Sequence, residues 1–294
     1  MENIIETNNL CMSFGQKKAL DNVNLHVKKG EIYGFVGENG AGKTTTMKII
    51  LGLLEQTSGE VLINGNTNLD SQRKSIGALI EAPGLYLNKT ARDNLELFTY
   101  LFGGDKEAIP SLLKKVGLDN TNNKKVGQFS LGMKQRLGIA VSLIGNPDIL
   151  ILDEPINGLD PKGILEMRNL FKSLKEEGKT ILISSHILTE LAKIADRFGI
   201  IHNGVLVKEV SSEEISTEQK ACIFKVSDVS KGIEILKEAN ILNKYDVLDD
   251  KLRIYYPFDK KNTIKYLINN DVLIESIIDE HIDVENYIVN KMEA

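Results

Sequence analysis

Only two cysteines occur in the 294 residues, Cys11 and Cys222, and they stand far apart. A disulfide framework is thereby excluded, and a reducing compartment is the expectation. A chain of this length buries enough apolar surface to fold without such staples. Basic residues are outnumbered: 36 Lys and Arg against 41 Asp and Glu give a net charge of −5. That argues against a protein whose main task is to grip a nucleic-acid backbone. Long apolar runs are missing too. The longest candidate, residues 137–152, is cut by Asn146, Pro147 and Asp148 and cannot span a bilayer. Residues 1–13 include Glu2 and Glu6 and lack both a basic stretch and an apolar core, so no secretory signal is expected. Neither internal repeats nor low-complexity stretches are visible. The expectation is a cytosolic globular chain, 42% hydrophobic and 26% charged, that reaches a membrane only through a partner.

Hydrophobic periodicity organises what is there. Apolar positions Ile4, Ile5, Leu10 and Met12, then Leu20, Val23, Leu25 and Val27, predict strands, followed by another at 31–36. A glycine-rich turn leads into helical spacing at Met47, Ile50, Leu51 and Leu54, and strands are expected at 59–65 and 76–80. From 90 to 145 the period becomes helical, through Leu95, Phe98 and Leu101, Leu112, Leu113 and Val116, and Leu137, Ile139, Ala140 and Leu143. The run 149–152 reads as a buried parallel strand, and Asp160-Pro161 as a helix cap with proline at the first helical position. A strand at 180–184 and a hairpin turning on Asn203-Gly204 follow. Residues 216–294 change character and carry 11 basic and 15 acidic side chains, most of the chain's net charge. Their pattern predicts strand (221–226), helix (232–238), strand (245–248), strand (252–256), helix (262–268) and strand (272–278), the split βαβ, ferredoxin-like order. A last helix is expected at 284–291. His281, with Asp279, Glu280 and Asp283, reads as a solvated charge cluster and not a metal site.

The chemistry concentrates in two segments. Gly37-Glu38-Asn39-Gly40-Ala41-Gly42-Lys43-Thr44, followed by Thr45, fits G-x-x-x-x-G-K-[ST] between an expected strand and an expected helix. Its glycines let backbone N–H groups turn inward toward phosphate oxygens, and the following helix adds its positive end. Lys43 would meet the β- and γ-phosphates, and the Thr44 hydroxyl a Mg²⁺ ion. The second segment, Ile149-Leu150-Ile151-Leu152-Asp153-Glu154, ends an apolar strand in two carboxylates. Asp153 suits Mg²⁺, and Glu154 suits a general base for the attacking water. Together they predict a P-loop nucleotide hydrolase.

Further segments carry a family resemblance. Phe129-Ser130-Leu131-Gly132-Met133-Lys134-Gln135-Arg136 resembles the signature of ATP-binding cassette (ABC) ATPases, Asn157-Gly158-Leu159-Asp160 their D-loop, and His186 their switch histidine. Phe14 matches the aromatic that stacks on adenine. The resemblance covers about residues 4–210. It implies an ABC cassette of α/β fold, with a mixed sheet, at 1–215 and a helical insert at about 83–145. A small α+β, ferredoxin-like accessory domain at 216–294 completes the expected architecture. It further implies ATP and Mg²⁺ as cofactors, and a homodimer in which Ser130 and the Gly132 backbone of one copy reach the γ-phosphate held by the other. A separate transmembrane permease is the implied partner, placing the chain on the inner face of the membrane. The alternative is a soluble ABC mechanoenzyme. Against it, one motif set occurs, and no heptad run lies between Lys43 and Ser130.

Two segments depart from the family pattern. Leu131 replaces a glycine, and because leucine resists positive φ the motif leaves open the loop path and the contacts to a second copy at this site; Met133 replaces a glutamine. Glu81 stands where a glutamine normally reaches Mg²⁺; a carboxylate keeps the oxygen ligand and adds charge. With Pro83, Tyr86, Leu87 and Thr90, it resembles ABC subunits that protect bacteria from peptide antibiotics, the lantibiotic-immunity and bacitracin-export types.

Overall fold

The computed structural model describes residues 2–281 except 219, together with 284, 287 and 288. It contains two compact units, residues 1–210 and 211–290. In the first unit the strands are β1 (Asn3–Phe14), β2 (Lys17–Val23), β3 (His26–Lys28), β4 (Ile32–Val36), β5 (Ser58–Ile63), β6 (Ile76–Leu79), β7 (Ile149–Asp153), β8 (Thr180–Ser185), β9 (Arg197–His202) and β10 (Val205–Ser211). Its helices are α1 (Lys43–Ile50), α2 (Leu69–Gln72), α3 (Ala91–Phe102), α4 (Ile109–Lys115), α5 (Leu131–Ser142), α6 (Pro161–Glu176) and α7 (Leu188–Leu191).

Every residue of β4, β7 and β8 is buried, as a parallel sheet covered on both faces requires. These strands sit inside a six-stranded sheet of order β10-β9-β4-β8-β7-β6. β4 pairs in parallel with both β8 and β9, and β7 with both β8 and β6. Every chain exit from these strands therefore lies at one edge, where ligands of open α/β sheets bind. A second, antiparallel sheet is formed by β1 with β2, β3 and β5. Its inward residues Ile5, Leu10, Leu20, Val23 and Leu25 share one core with Phe35, Met47 and Ile151.

Local chemistry sets the helix ends. Thr90 and Asp93 form a reciprocal capping box at α3, and Gly103 closes it with φ 76°. The Asp160 side chain accepts from the Gly163 amide at 3.0 Å, and Pro161 opens α6. The helical insert is pressed against the sheet: a Cβ on Gly77 of β6 would stand 1.8 Å from the Ser142 carbonyl of α5. The hairpin turn runs through Asn203 (φ 47°) and Gly204 (φ 80°), the left-handed pair that a two-residue turn demands.

The second unit consists of α8 (Ser212–Glu218), β11 (Lys220–Val226), α9 (Val229–Glu238), β12 (Tyr245–Leu248), β13 (Lys251–Tyr255), α10 (Lys260–Asn269) and β14 (Ile274–His281). Its antiparallel sheet runs β12-β13-β11-β14. Phe224, Leu252 and Ile254 pack with Leu236 of α9 and Leu267 of α10. Both helices begin earlier than apolar spacing alone predicts, because Asp228 and Asp259 cap them through the Lys231 and Asn262 amides. The helix expected at 284–291 falls largely outside the described residues.

Cys222 belongs to this core and is fully buried. Burial first, then its hydrogen bond to Asp279, pushes the thiol up to about 12. At pH 8 that leaves about 10³-fold less thiolate than an ordinary thiol of pKa near 8.5. Maleimide labelling of the native protein is expected to modify the half-buried Cys11 and to spare Cys222, as read by peptide mass spectrometry. Comparable labelling of both would contradict this packing.

Candidate nucleotide site

The expected glycine loop leaves the end of β4 and turns into α1. At Gly42, φ is 113°, and a Cβ there would stand 2.6 Å from Leu20 Cδ2, so only glycine fits. No side chain caps α1; its first amides are left for an external acceptor, and the helix dipole favours an anion. The Lys43 ammonium is drawn back beneath the loop and donates to the Gly37 carbonyl at 2.6 Å and the Glu38 carbonyl at 3.0 Å. Lys43 is 5% exposed. Burial pushes its ammonium below the usual lysine range, while the Glu154 and Asp153 carboxylates hold it up.

The acidic strand end meets this loop. Asp153, 4% exposed, accepts from the Thr44 hydroxyl at 2.8 Å and from the Ser184 hydroxyl at 2.5 Å. Ser184 also accepts from the Glu154 amide at 2.9 Å, so one hydroxyl orients both acidic residues. Glu154 is left-handed, with φ 48°, which turns its side chain out of the strand's alternation. Its Oε1 lies 3.8 Å from Lys43 Nζ, and its Oε2 lies 2.7 Å from His186 Nδ1. A buried carboxylate holding a threonine hydroxyl offers the hard oxygen donors that Mg²⁺ takes.

Beside the loop lies a cleft of ≈ 490 Å³ lined by Phe14, Lys17, Lys18, Ala19, Glu38 to Gly42, Thr45, Asn203 and Gly204. Phe14 is 51% exposed there. A larger hollow of ≈ 820 Å³, lined by Lys114, Arg136 and Glu166 among others, holds none of the expected nucleotide- or metal-binding residues.

The structure thus brings together Gly37 to Thr45, Asp153, Glu154, His186 and, at the cleft, Phe14. Glu81 is arranged otherwise: its carboxylate accepts from Lys48 of α1 at 2.6 Å, with no hydrogen bond to Thr44 or Asp153. Ser130 caps α5, its hydroxyl accepting from the Met133 amide at 3.3 Å, and neither it nor Gly132 lines the cleft. The loop path that the motif left open at Leu131 needs no positive φ: Leu131 enters α5 as its first, right-handed residue. Sequence reading missed Ser184, Ala19 and Asn203. For Ser184 the available signal was a hydroxyl at the end of an otherwise apolar strand.

A curled amide loop, a buried lysine, a magnesium-type oxygen pair and a histidine-held glutamate together answer one ligand, a nucleoside triphosphate. The fold and site define a P-loop nucleotide hydrolase. The ABC transporter family profile matches residues 20–157. The bacitracin transport ATP-binding protein BcrA of Bacillus licheniformis is 41% identical, over 98% of this chain and 97% of its own. The lantibiotic transport ATP-binding protein SrtF of Streptococcus pyogenes is 48% identical, over 70% of this chain and 90% of its own. Among solved structures, a dimeric ATP-binding cassette in a post-hydrolysis state with ADP and phosphate superposes with TM-score 0.64 and 30% identity, over 71% of this chain and 98% of that one. The chain belongs to the ATP-binding subunits of ABC transporters and is an ATPase coupled to transport.

Ser184→Ala leaves Asp153 short of one hydrogen bond and the Glu154 amide unpaired. The expected result is an ATPase rate lower by about 10–100-fold, the usual cost of losing an outer-shell partner, with the fold intact by circular dichroism. A wild-type rate would show that Ser184 orients neither carboxylate.

Proposed function

We propose that this chain is the motor of a multi-chain exporter that protects a bacterium against peptide antibiotics of the bacitracin or lantibiotic kind. The observation that carries the motor reading is the contact chain Thr44–Asp153–Ser184–Glu154–His186 at the mouth of the glycine loop. The substrate reading rests on likeness to the bacitracin transport protein along nearly the whole length of both chains.

The chemistry follows from the residues. Loop amides and Lys43 bind the phosphates and set their orientation. Thr44 and Asp153 would hold Mg²⁺, which supplies charge neutralisation on the phosphate oxygens. Glu154 accepts a proton from the attacking water, and His186 fixes the carboxylate so that one oxygen stays available. Phe14 stacks on the base. Ser130, at the tip of α5, serves the nucleotide of a second copy, so hydrolysis at each site needs a closed homodimer.

A separate permease is the further partner. Among the described residues no helix is long and apolar enough to cross a membrane. Exposed apolar side chains cluster instead on the insert: Tyr86, Leu87, Tyr100, Leu101 and Phe102. Of these, Tyr86 and Phe102 pack on the ring of Phe98, which with Pro83 and Leu85 lines a small hollow, and this surface suits a docked helix end of a membrane subunit on its cytoplasmic side. The strand order of the second unit, with both helices packed into one core with the sheet, supports a ferredoxin-like accessory domain.

Glu154→Gln is expected to bind ATP, to form a dimer detectable by light scattering, and to hydrolyse about 10²–10⁴-fold more slowly. Turnover at the wild-type rate would remove Glu154 from the chemistry. Expressed with the membrane protein that copurifies with it, the wild-type chain should raise the bacitracin or nisin concentration that a sensitive host survives. The Glu154→Gln pair should not. Equal survival of both would defeat the exporter reading.

A further inference from the structure

Leu131, the residue that departs from the signature pattern, is 53% exposed, yet its side chain has a defined seat. Its Cδ2 lies 2.6 Å from where a Cβ on Gly158 would stand. Gly158 has φ 72°. The reverse contact is also made: Leu159 Cδ2 lies 3.2 Å from where a Cβ on Gly132 would stand. Each of two neighbouring leucines thus covers the bare backbone of a glycine on the other segment. One turn further along α5, Arg136 donates to Glu166 of α6 and continues the same fastening.

The segment held by this clasp begins at the general base. The Asn157 amide donates to the Glu154 carbonyl at 3.1 Å, and the Leu159 amide to the Ile156 carbonyl at 3.4 Å. Residues 154–159 therefore form a run of tight turns with few independent torsions. A displacement at Gly158 is passed back to Glu154, whose left-handed backbone already points its carboxylate at Lys43 and His186. A smaller side chain at 131 leaves Gly158, the most permissive residue of the run, without a packing partner.

We infer that Leu131 is a positioning residue for hydrolysis: by packing on Gly158 it holds the 154–159 turns, and with them the Glu154 carboxylate, in register with the glycine loop of the same chain. It touches neither nucleotide nor water itself. The inference rests on Glu154 being the base but not on the transported substrate. It requires the rate and the affinity to respond differently, because the glycine loop, Lys43 and Phe14 are untouched.

Leu131→Ala is expected to lower kcat about tenfold, a modest part of the ~10²-fold that an ångström of misplacement can cost. The Kd for a fluorescent ATP analogue with Mg²⁺ should stay within about twofold. Leu131→Met, which refills the seat, should restore kcat to within about twofold of wild type. Gly158→Ala, which drives a methyl into Leu131, should also lower kcat. Added to Leu131→Ala it should cost less than it does alone, a coupling read from the double-mutant cycle. Additive effects, an unchanged kcat in Leu131→Ala, or a Kd that rises with the loss of kcat would overturn the proposal. In the Glu154→Gln background, Leu131→Ala should leave ATP-driven self-association intact. Its loss there would place Leu131 at the pairing surface instead, which also overturns the proposal. Failure of Glu154→Gln itself to dimerise would count against the homodimer and not against the clasp.

Discussion

A buried carboxylate with no ion-pair partner among the described residues is the constraint around which this cassette is arranged. Asp153 is nearly inaccessible, and an ionised group in that position is costly unless its oxygens are hydrogen-bonded. Ser184 and Thr44 supply the two bonds, one from the neighbouring strand and one from the helix after the glycine loop. Parallel pairing of β7 with β8 brings Asp153 level with Ser184, and the fully buried strands leave that register little freedom. The apolar core, which reaches the glycine loop at Ala41 and beneath Gly42, thus sets the geometry of the polar site.

Charge balance ties the same point to the phosphate loop. Lys43 is as buried as Asp153, and its ammonium donates hydrogen bonds to loop carbonyls while Glu154 stands 3.8 Å away. Burial works against its charge while the acidic strand end sustains it. A polyanion arriving at the loop would replace missing solvation for the lysine, and a divalent cation would do so for the aspartate. The site is consequently preorganised for the pair together, which is how electrostatic sites avoid reorganising during reaction.

Legibility of these features in the sequence followed chain proximity. The glycine loop and the acidic strand end were readable because each is contiguous and its residue types have few other uses. In the second unit the order of strands and of α9 and α10 was readable from periodicity, but both helices start earlier, at aspartate caps, and α8 was not anticipated. What escaped was assembled from afar. Ser184 lies 31 residues from the carboxylate it holds, and Ala19 and Asn203 join the cleft wall from opposite ends of the cassette. Glu81 carries an oxygen suited to a cation, but Lys48, 33 residues before it, claims that oxygen. At Leu131 the motif comparison left the loop path open, and only the three-dimensional structure shows a regular helix start with a glycine seat beneath the side chain.

The claim that Asp153 and Thr44 form a divalent-cation site facing the glycine loop can be measured directly. Mn²⁺ titration followed by electron paramagnetic resonance, in the presence of ATP, reports that site without relying on turnover. The account predicts that Asp153→Asn retains nucleotide binding while its Mn²⁺ affinity weakens by at least about tenfold, as for loss of one of few protein oxygen ligands. Equal Mn²⁺ affinity in the two proteins would contradict it.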